Sequence, residues 1–281
     1  MKVACIGLGQ MGGPMADHVI AAGFDVAVVD LNEESVARRV ANGARAAATP
    51  ADAADGADVI SITVFSDAQL IDVVCGPNGI LQNAKDGAVI AVHTTALVET
   101  IRDLAEQASS KNVHVVDAGI SGGESGAVAG TLLLLVGGEL DDVEKVRPVL
   151  STFAKEVVYA GPLGTGMALK LARNAIGYAW MLSIHEAMEF AVRAGVDPKL
   201  IRHAIEQAAV VDQALVPLNL GGPEPFPDDT PGLEMFHHTV KLAQKDLENA
   251  IALAESVGGS VPLLELTQVQ FAKAVRLPLT E

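Results

Sequence analysis

The sequence predicts an α/β protein: a doubly wound, mostly parallel sheet, followed by a long interdomain helix and an all-α C-terminal domain. Two patterns indicate this fold class. From residue 2 to about residue 160, short runs rich in Val, Ile and Ala alternate with segments of helical periodicity, which is typical of repeated βα units. After the Gly-Pro-Leu-Gly sequence at residues 161–164, the strand pattern ends and only helical patterns follow.

The strand candidates are almost continuously apolar. Strands of a parallel sheet show this pattern when helices cover both faces of the sheet. Helices fit between the candidates, and we expect Thr49, before Pro50, and Thr95, before Glu99, to cap two of them. The candidates are Lys2–Ile6, Asp25–Asp30, Val59–Val64, Ala88–Val92, Val113–Asp117, Leu132–Val136 and Val157–Ala160.

The C-terminal part begins with a helix predicted over residues 167–194. It is apolar around most of its circumference, which predicts that it is buried, either between domains or at a subunit interface. We therefore expect three parts: residues 1–162, the interdomain helix 163–194, and a helical domain 195–281. Helices are predicted at about 198–209, 235–257 and 262–275, and the segment 211–233, rich in Pro and Gly, is either a lid or binding loop or disordered.

Composition argues against several functions. The 281 residues carry 19 Lys and Arg against 35 Asp and Glu, a net charge of −16, which does not suit nucleic-acid phosphates or an anionic membrane. No apolar run approaches the roughly 20 residues of a membrane helix. Cys5 and Cys75 are too few for a disulfide scaffold, and the scattered histidines indicate no metal site. We expect a cytoplasmic protein with no nucleic-acid or membrane partner.

A G-x-G-x-x-G sequence follows the first strand and opens the first helix. The first glycine permits a tight turn, the second lets the backbone approach a pyrophosphate, and the third allows close helix packing. The helix N-terminus offers free N–H groups to the phosphates. The predicted dinucleotide-binding residues of this Rossmann-type motif are Gly7, Leu8, Gly9, Gln10, Met11 and Gly12.

An acidic residue completes the motif. Asp30 ends the second strand candidate, where its carboxylate would accept hydrogen bonds from a ribose 2′-OH and repel a 2′-phosphate. The next residues, Leu31, Asn32 and Glu33, supply no positive charge to neutralise such a phosphate. The sequence therefore predicts NAD as cofactor in preference to NADP.

Lys170 and Asn174 are four residues apart on the long helix and share one of its faces. A helical Lys is usually exposed to solvent. The neighbours of Lys170 are apolar, however, so we expect it to face a cavity, where desolvation lowers a lysine pKa and fits the side chain for proton transfer near neutral pH.

The chain resembles the β-hydroxyacid dehydrogenase family over essentially its whole length. The matching segments are CIGLGQMGGPMA at 5–16, DAGISGGESGAVAGTLLLLVGG at 117–138, GTGMALKLARN at 164–174 and QKDLENAIALA at 244–254. The resemblance implies oxidation of the alcohol of a small hydroxyacid by a nicotinamide cofactor, or the reverse reduction. It also implies that Lys170 is the general acid/base, that Asn174 helps to hold the substrate, and that Ser121, Gly122 and Gly123 bind its carboxylate.

The resemblance further places Thr95 near the nicotinamide and Lys245 over the cofactor, with Asp246 behind it. Without the family, a helix cap for Thr95 and an exposed ion pair for Lys245 are the simpler interpretations. We also expect Val64, at the end of the third strand candidate, to line the cofactor site.

Four positions depart from the family pattern. Thr94 stands where Ser is usual, Gly119 where Pro is usual, and His238 where Phe is common. Arg173 replaces an Asn that often precedes the residue matching Asn174. It either pairs with a second substrate carboxylate or points to solvent.

Two other functions fit parts of the sequence. An imine reductase-like enzyme on the same scaffold is one alternative, although such enzymes usually lack the lysine. A non-catalytic nucleotide-sensing protein is the other. In each case the long apolar helix predicts a homo-oligomer, either a dimer or a tetramer.

Overall fold

A computed structural model describes residues 1–208, 210, 214–220 and 223–278. The chain divides into two compact units, Met1–Asn174 and Ala175–Glu281. The division falls inside the long helix. The predicted limits of the three parts at residues 162 and 194 stay a prediction about how the chain folds.

The first unit holds an eight-stranded sheet in the order β3-β2-β1-β4-β5-β6-β7-β8. Neighbouring strands are parallel except for β6 and β7, which run antiparallel. The strands are β1 (Lys2–Ile6), β2 (Asp25–Val29), β3 (Arg45–Ala46), β4 (Val59–Ile62), β5 (Val89–Val92), β6 (His114–Ser121), β7 (Leu132–Gly137) and β8 (Ala154–Gly161). The predicted fold class is confirmed, and each strand candidate overlaps a strand. The two-residue β3 is the only strand in the described residues that was not predicted.

Helices connect the strands of this unit. Thr49 caps α3 as expected, since its side chain accepts a hydrogen bond from the N–H of Asp52. The predicted cap at Thr95 is wrong: α5 begins after Leu97, whose N–H donates to Asp67 at 3.0 Å. The helices are α1 (Gly12–Ala21), α2 (Glu33–Ala41), α3 (Pro50–Ala54), α4 (Asp67–Cys75), α5 (Val98–Ser109), α6 (Gly123–Ala129) and α7 (Leu140–Leu150), with a 3-10 turn at Ile80–Gln82.

Two hydrophobic cores lie on opposite faces of the sheet. Alternate residues of one strand enter different cores, as Val89 and Ala91 do on one face and Ile90 and Val92 on the other. Helices α1 and α7 contribute to the first core, and α4 and α5 to the second. Burial on both faces explains the continuously apolar strands.

The order of the strands positions the functional site. The chain winds one way from β1 through β2 to β3 and then crosses over to β4, so the winding reverses between β1 and β4. Ligands of doubly wound sheets bind at the carboxyl ends of the strands beside such a point.

The second unit is helical. The long helix α8 (Thr165–Arg193) begins in the first unit and continues into the second, which also holds α9 (Pro198–Gln207), α10 (Val216–Asn219), α11 (Leu233–Ser256) and α12 (Pro262–Ala274). Part of the predicted loop 211–233 lies outside the described residues, namely 211–213 and 221–222. The short helix α10 occupies another part of it.

The long helix is not buried within the single chain, and its predicted burial at a subunit interface stays a prediction. Between residues 176 and 192 it exposes many large apolar side chains: Ile176, Tyr178, Trp180, Met181, Leu182, Ile184, Met188 and Val192. Among the described residues, no helix has both the length and the hydropathy needed to cross a bilayer.

Glu186 joins two helices inside the second unit. Its side chain is buried in α8, and its carboxylate accepts hydrogen bonds from the N–H groups of Leu263, at 3.0 and 3.1 Å, and Leu264, at 3.3 Å. These groups belong to the first turn of α12, where N–H groups have no partner within the helix. The carboxylate thus replaces the side-chain cap that Val261 does not provide.

We expect Glu186→Ala to lower the free energy of unfolding by about 1–3 kcal/mol, because buried N–H groups lose their acceptor. Urea unfolding followed by circular dichroism measures this loss. The control is Glu189→Ala on the same helix, which removes a surface pair with Arg193 and should cost less than about 1 kcal/mol. Equal losses in the two variants would contradict the capping role.

Candidate functional site

The glycine-rich loop lies at the carboxyl end of β1. Gly7 has a φ of +86°, and a Cβ there would lie 2.2 Å from the carbonyl oxygen of Thr63. A Cβ at Gly12 would lie 2.0 Å from the carbonyl oxygen of Gly7. Packing within the fold therefore requires both glycines.

Gly9 differs from the other two glycines. A Cβ there would meet no heavy atom of the described chain within 4 Å. Packing does not require this glycine, but the open space beside its Cα fits a ligand that approaches the backbone, as a pyrophosphate does. The loop therefore fits the dinucleotide expected from the sequence.

The loop leads into the N-terminus of α1. Met11 is the N-cap residue, and none of the described side chains caps the helix there. The first-turn N–H groups, together with the positive end of the helix dipole, favour an anion at this point. Leu8 is buried beside the loop and Gln10 is exposed.

Asp30 follows β2, next to the glycine-rich loop. Its carboxylate accepts hydrogen bonds from the N–H of Leu8 at 2.5 Å and from the N–H of Asn32 at 2.7 Å. These two bonds fix the orientation of the carboxylate. Each oxygen keeps a lone pair that could accept a ribose hydroxyl.

Two exposed apolar side chains flank this region. Leu31, after Asp30, is 99% exposed, and Phe65, in the loop between β4 and α4, is 93% exposed. Sequence reasoning did not single out either side chain, although an apolar residue directly after a strand end is a signal that could have drawn attention to Leu31.

The loops after β4 and β5 are joined by a buried hydroxyl. Thr94 accepts a hydrogen bond from the N–H of Val64 at 3.0 Å and donates to the carbonyl of Val64, also at 3.0 Å. A serine hydroxyl could make the same two hydrogen bonds, so this departure from the family pattern preserves the contact. These two hydrogen bonds keep Val64 and the exposed Thr95 at the same edge of the sheet.

His93, next to Thr94, is a neutral buried side chain. Desolvation lowers its pKa to about 4, against a smaller opposing effect of its bond to Ala118. Its Nδ1 lies 2.8 Å from the carbonyl oxygen of Ala118, which makes Nδ1 the donor. His93 therefore adds no positive charge near Lys170 at neutral pH.

The carboxyl end of β6 carries the Ser-Gly-Gly sequence. Ser121 is half-buried, while Gly122 and Gly123 are exposed. The φ angles of the two glycines are +133° and +64°, which residues with a side chain rarely adopt. Consecutive N–H groups in such a turn can form a concave site for an anion.

The start of α8 is held by Asp117 of β6. This carboxylate is fully buried and accepts hydrogen bonds from the N–H of Gly164 at 2.6 Å and of Met167 at 2.5 Å. Burial raises the pKa of Asp117, and the backbone donors oppose that shift. Sequence reasoning missed this residue as an anchor of the helix.

Lys170 lies one turn further along α8 and is only 7% exposed. Its Nζ donates to the carbonyl oxygen of Ile120 at 2.6 Å, one residue before Ser121. Desolvation is the main cause that lowers the pKa of Lys170, and the positive charge of Arg173 lowers it further. The predicted burial and pKa shift of this lysine are both present.

Gly119 explains how Lys170 reaches the strand. A Cβ at Gly119 would lie 2.9 Å from Cδ and 3.0 Å from Cβ of Lys170. The lysine stem therefore packs directly on the glycine backbone. This family departure leaves room for the stem at the place where other members have a proline.

The other predicted residues are less constrained. The guanidinium of Arg173 is exposed and lies 3.4 Å from Oδ1 of Asn174, which is half-buried. Lys245 lies on α11 of the second unit, where its Nζ is 3.0 Å from Asp246 and both side chains are 62% exposed. Its predicted contact with a cofactor stays a prediction.

The first unit thus brings most of the predicted residues to one edge of the sheet. Gly7–Gly12, Asp30, Val64 and Thr95 follow the parallel strands β1, β2, β4 and β5, and Ser121 ends β6 at the same edge. Within the part of the chain that the structure describes, no three His, Cys, Asp or Glu side chains lie close enough to hold a metal ion.

Comparison with known families agrees with this arrangement. The profile of the NAD binding domain of 6-phosphogluconate dehydrogenase matches residues 2–161. The profile described as NAD-binding of NADP-dependent 3-hydroxyisobutyrate dehydrogenase matches residues 164–279. The chain belongs to the β-hydroxyacid dehydrogenase family. It is an oxidoreductase with an NAD(P)-binding domain, as the sequence predicts.

Individual relatives cover nearly the whole chain. The 3-hydroxyisobutyrate dehydrogenase of Pseudomonas aeruginosa is 32% identical over 96% of this chain and 91% of the relative. An NAD-dependent L-serine dehydrogenase of the same species is 30% identical over 93% of this chain and 88% of the relative. β-Hydroxyacid dehydrogenases with different substrates are thus similar to this chain to nearly the same degree.

Solved structures show the same fold. One is the crystal structure of a protein from Mycobacterium avium 104 that is assigned provisionally as an oxidoreductase. It is 33% identical to this chain, and the match covers 98% of this chain and 99% of that protein's chain, with a TM-score of 0.84. An imine reductase from Aspergillus terreus, 21% identical, covers 98% of this chain and 93% of its own with a TM-score of 0.79. The second likeness shows the fold alone.

We expect Gly119→Ala to reduce dehydrogenase turnover about two- to fivefold, because the added Cβ shifts the Lys170 stem and its hydrogen bond to Ile120. The loss is moderate because the family usually carries a proline, which also has a Cβ, beside this lysine. Steady-state kinetics at saturating cofactor measure the loss. Cofactor affinity, measured by fluorescence titration, is the internal control and should not change, since the glycine-rich loop lies on other strands. Full turnover in the variant would show that this packing does not matter for the reaction.

Proposed function

We propose that this β-hydroxyacid dehydrogenase uses NAD to interconvert a small β-hydroxyacid and its semialdehyde or keto acid. One observation carries the proposal. A buried lysine with a lowered pKa, Lys170, has its Nζ hydrogen-bonded one residue from the Ser121–Gly123 turn, so a proton-transfer group adjoins a candidate anion site.

Lys170 handles the proton of the substrate hydroxyl. In the oxidising direction its neutral amine accepts this proton as the hydroxyl carbon becomes a carbonyl carbon. In the reducing direction its ammonium returns the proton to the forming alcohol. Burial favours the neutral amine, and the carbonyl of Ile120 holds Nζ in place for both directions.

The substrate carboxylate binds at Ser121, Gly122 and Gly123, through the serine hydroxyl and the N–H groups of the turn. Asn174, one turn beyond Lys170 on the same face of α8, helps to hold the substrate through its side-chain amide. Arg173 is exposed next to Asn174, where it could pair with a second carboxylate. A substrate with one carboxylate leaves Arg173 with only its electrostatic effect on Lys170.

Residues from Asp30 to Thr95 along this edge would hold the cofactor. Gly9 and the N-terminus of α1 would bind the pyrophosphate, Asp30 would accept hydrogen bonds from the ribose hydroxyls, and Leu31 and Phe65 would pack on the adenine. A bound nicotinamide supplies the hydride acceptor for oxidation and the hydride donor for reduction. The negative charge of Asp30 favours NAD over NADP.

The alternatives make different use of these residues. An imine reductase or a nucleotide sensor needs the dinucleotide site but has no need of a desolvated lysine beside an anion-binding turn. Burying a lysine carries a desolvation cost, and neither alternative gives this cost a functional reason. We therefore place the dehydrogenase first.

We also propose that the chain assembles as a homodimer or homotetramer. The large apolar side chains that α8 exposes between residues 176 and 192, including Tyr178 and Met181, form an exposed row on the helix. Exposed apolar side chains grouped in this way are typical of an interaction surface. Burial of this row against a second copy also accounts for the apolar sequence of the helix.

We expect the purified enzyme to reduce NAD with at least one member of a panel of small β-hydroxyacids, and NADP less efficiently. Lys170→Ala should lower turnover by about 100-fold or more, since it removes the proton acceptor. Absorbance of the reduced nicotinamide measures both. The matched control is Lys111→Ala, which truncates an exposed lysine of the same unit.

Undiminished turnover of Lys170→Ala on the best substrate would refute the assigned role. Tight NAD binding with no turnover across the panel would favour the sensor. Reduction of cyclic imines with no hydroxyacid activity would favour the imine reductase.

The positive charge of Arg173 should affect how the rate of oxidation depends on pH. Its charge lowers the pKa of Lys170, so Arg173→Met should raise that pKa. Oxidation needs the neutral amine, so its rate rises as pH passes the Lys170 pKa, and this rise should move to higher pH in the variant. Profiles of kcat against pH measure the shift. Arg173→Lys keeps the charge and should leave the profile in place, and an unmoved profile in Arg173→Met contradicts the coupling.

We expect light scattering at micromolar concentration to give a mass of at least two chains, of 29.0 kDa each. Met181→Glu should shift the mass towards the monomer, because it introduces a charge into the exposed row. Val40→Glu, at an exposed apolar position on α2, is the control and should leave the mass unchanged. A monomeric wild-type protein would refute the assembly.

A further inference from the structure

A buried arginine lies behind the glycine-rich loop. Arg39 of α2 is only 5% exposed, although most arginines lie at the surface. Its guanidinium makes a two-pronged contact with Asp17 of α1, with Nε 3.0 Å from Oδ1 and Nη2 2.8 Å from Oδ2. The pair neutralises the buried charge and ties the first two helices together.

The third nitrogen of the guanidinium reaches Ser35. Nη1 donates to Oγ of Ser35 at 2.9 Å, and this Oγ donates its own hydrogen to the carbonyl oxygen of Leu8 at 2.9 Å. The directions are fixed, because a guanidinium only donates and a carbonyl oxygen only accepts. The hydrogen bonds therefore run in series from Arg39 through Ser35 to Leu8.

Leu8 is held from both sides as a result. Its N–H donates to Asp30 at 2.5 Å, and its carbonyl accepts from Ser35. Leu8 separates Gly7 from Gly9, and glycine leaves the backbone more conformational freedom than other residues do. Fixing Leu8 restricts the backbone on both sides of the open space at Gly9.

Gly13 makes room for the guanidinium. A Cβ at this position would lie 2.5 Å from Nη2 of Arg39. Gly13 is not part of the G-x-G-x-x-G triple, so the dinucleotide motif alone does not explain it. Ser35 and Arg39 also line a cavity of about 650 Å³ together with Gly9 and Gln10, which places them at the wall of a ligand-sized space.

We propose that Asp17, Ser35 and Arg39 are positioning residues that hold the glycine-rich loop in its dinucleotide-binding conformation and thereby set the affinity for the cofactor. The proposal rests on the proposed cofactor site. A glycine-rich loop that is free in solution must lose conformational entropy when the pyrophosphate binds, and a loop already fixed at Leu8 loses less. None of the three residues needs to touch the cofactor for this effect.

The test is Ser35→Ala, which removes one hydroxyl and leaves the backbone N–H that Asn32 caps at 3.2 Å. The dissociation constant of NADH, measured by fluorescence titration without substrate, should rise about 5- to 10-fold, the effect of one hydrogen bond. The KM for NAD should rise alongside it, while kcat at saturating NAD stays within about twofold of the wild type, since Lys170 is not disturbed.

Two variants serve as controls. Ser109→Ala makes the same chemical change at a serine whose hydroxyl bonds to the carbonyl of Glu106, far along α5, and should leave NADH affinity unchanged. Ser35→Thr keeps the hydroxyl and should restore most of the affinity. The thermal midpoint of the cofactor-free protein, recorded for all variants, separates an effect on the loop from a general loss of stability.

The outcomes are distinct. An unchanged NADH dissociation constant in Ser35→Ala would overturn the proposal. So would a Ser35→Thr variant that loses as much NADH affinity as Ser35→Ala. Either result would leave the dehydrogenase assignment intact. A fall in kcat with no change in NADH affinity would also overturn it. Absence of NADH binding by the wild-type enzyme would instead refute the proposed cofactor site, and the positioning role with it.

Discussion

The buried carboxylate of Asp117 is the contact on which the reactive end of the molecule depends. It binds the N–H groups of Gly164 and Met167, and so fixes where α8 begins relative to β6. Lys170 follows within one turn, so its approach to Gly119 and Ile120 is set by this anchor. An ionised carboxylate without solvent is unfavourable by itself, and the first turn of α8 compensates because its N–H groups lack partners in the helix.

The surroundings of Lys170 on α8 set its electrostatics. Lys170 lies near the positive end of α8, in apolar surroundings and with Arg173 one turn away. All three influences favour the neutral amine, and the neutral His93 adds no opposing or supporting charge at neutral pH. These influences lower the pKa of Lys170 from its ordinary value, which is the direction that proton transfer near neutral pH requires.

Sequence patterns could predict features that depend on neighbours in the chain. Gly7, Gly9, Gly12 and Asp30 have a recognisable spacing because the βαβ unit that contains them is local, and apolar runs predict buried strands for the same reason. The two-residue β3 is too short to give a pattern. Thr95 follows the sequence rule for a cap, but the carboxylate of Asp67, 30 residues away from Leu97, takes that role at α5.

Contacts between distant residues carry the rest of the site, and no spacing rule describes them. Asp117 lies 47 residues from Gly164, and Ser35 lies 27 residues from Leu8. In sequence Arg39 is one more cation on an amphipathic helix, and only the fold shows that it is buried against Gly13. Likewise the exposed row on α8 has the sequence of a buried helix, and only the fold shows that these side chains are exposed in the single chain.

The two halves of the site share one physical solution. At the glycine-rich loop, Gly9 leaves open space beside the backbone, and the hydrogen bonds of Leu8 with Asp30 and Ser35 restrain the neighbouring residue. At the start of α8, the lysine stem of Lys170 packs closely on Gly119, and Asp117 fixes the helix that carries the lysine. In both places a buried charged side chain, Arg39 or Asp117, lies outside the close contact and supports it through hydrogen bonds.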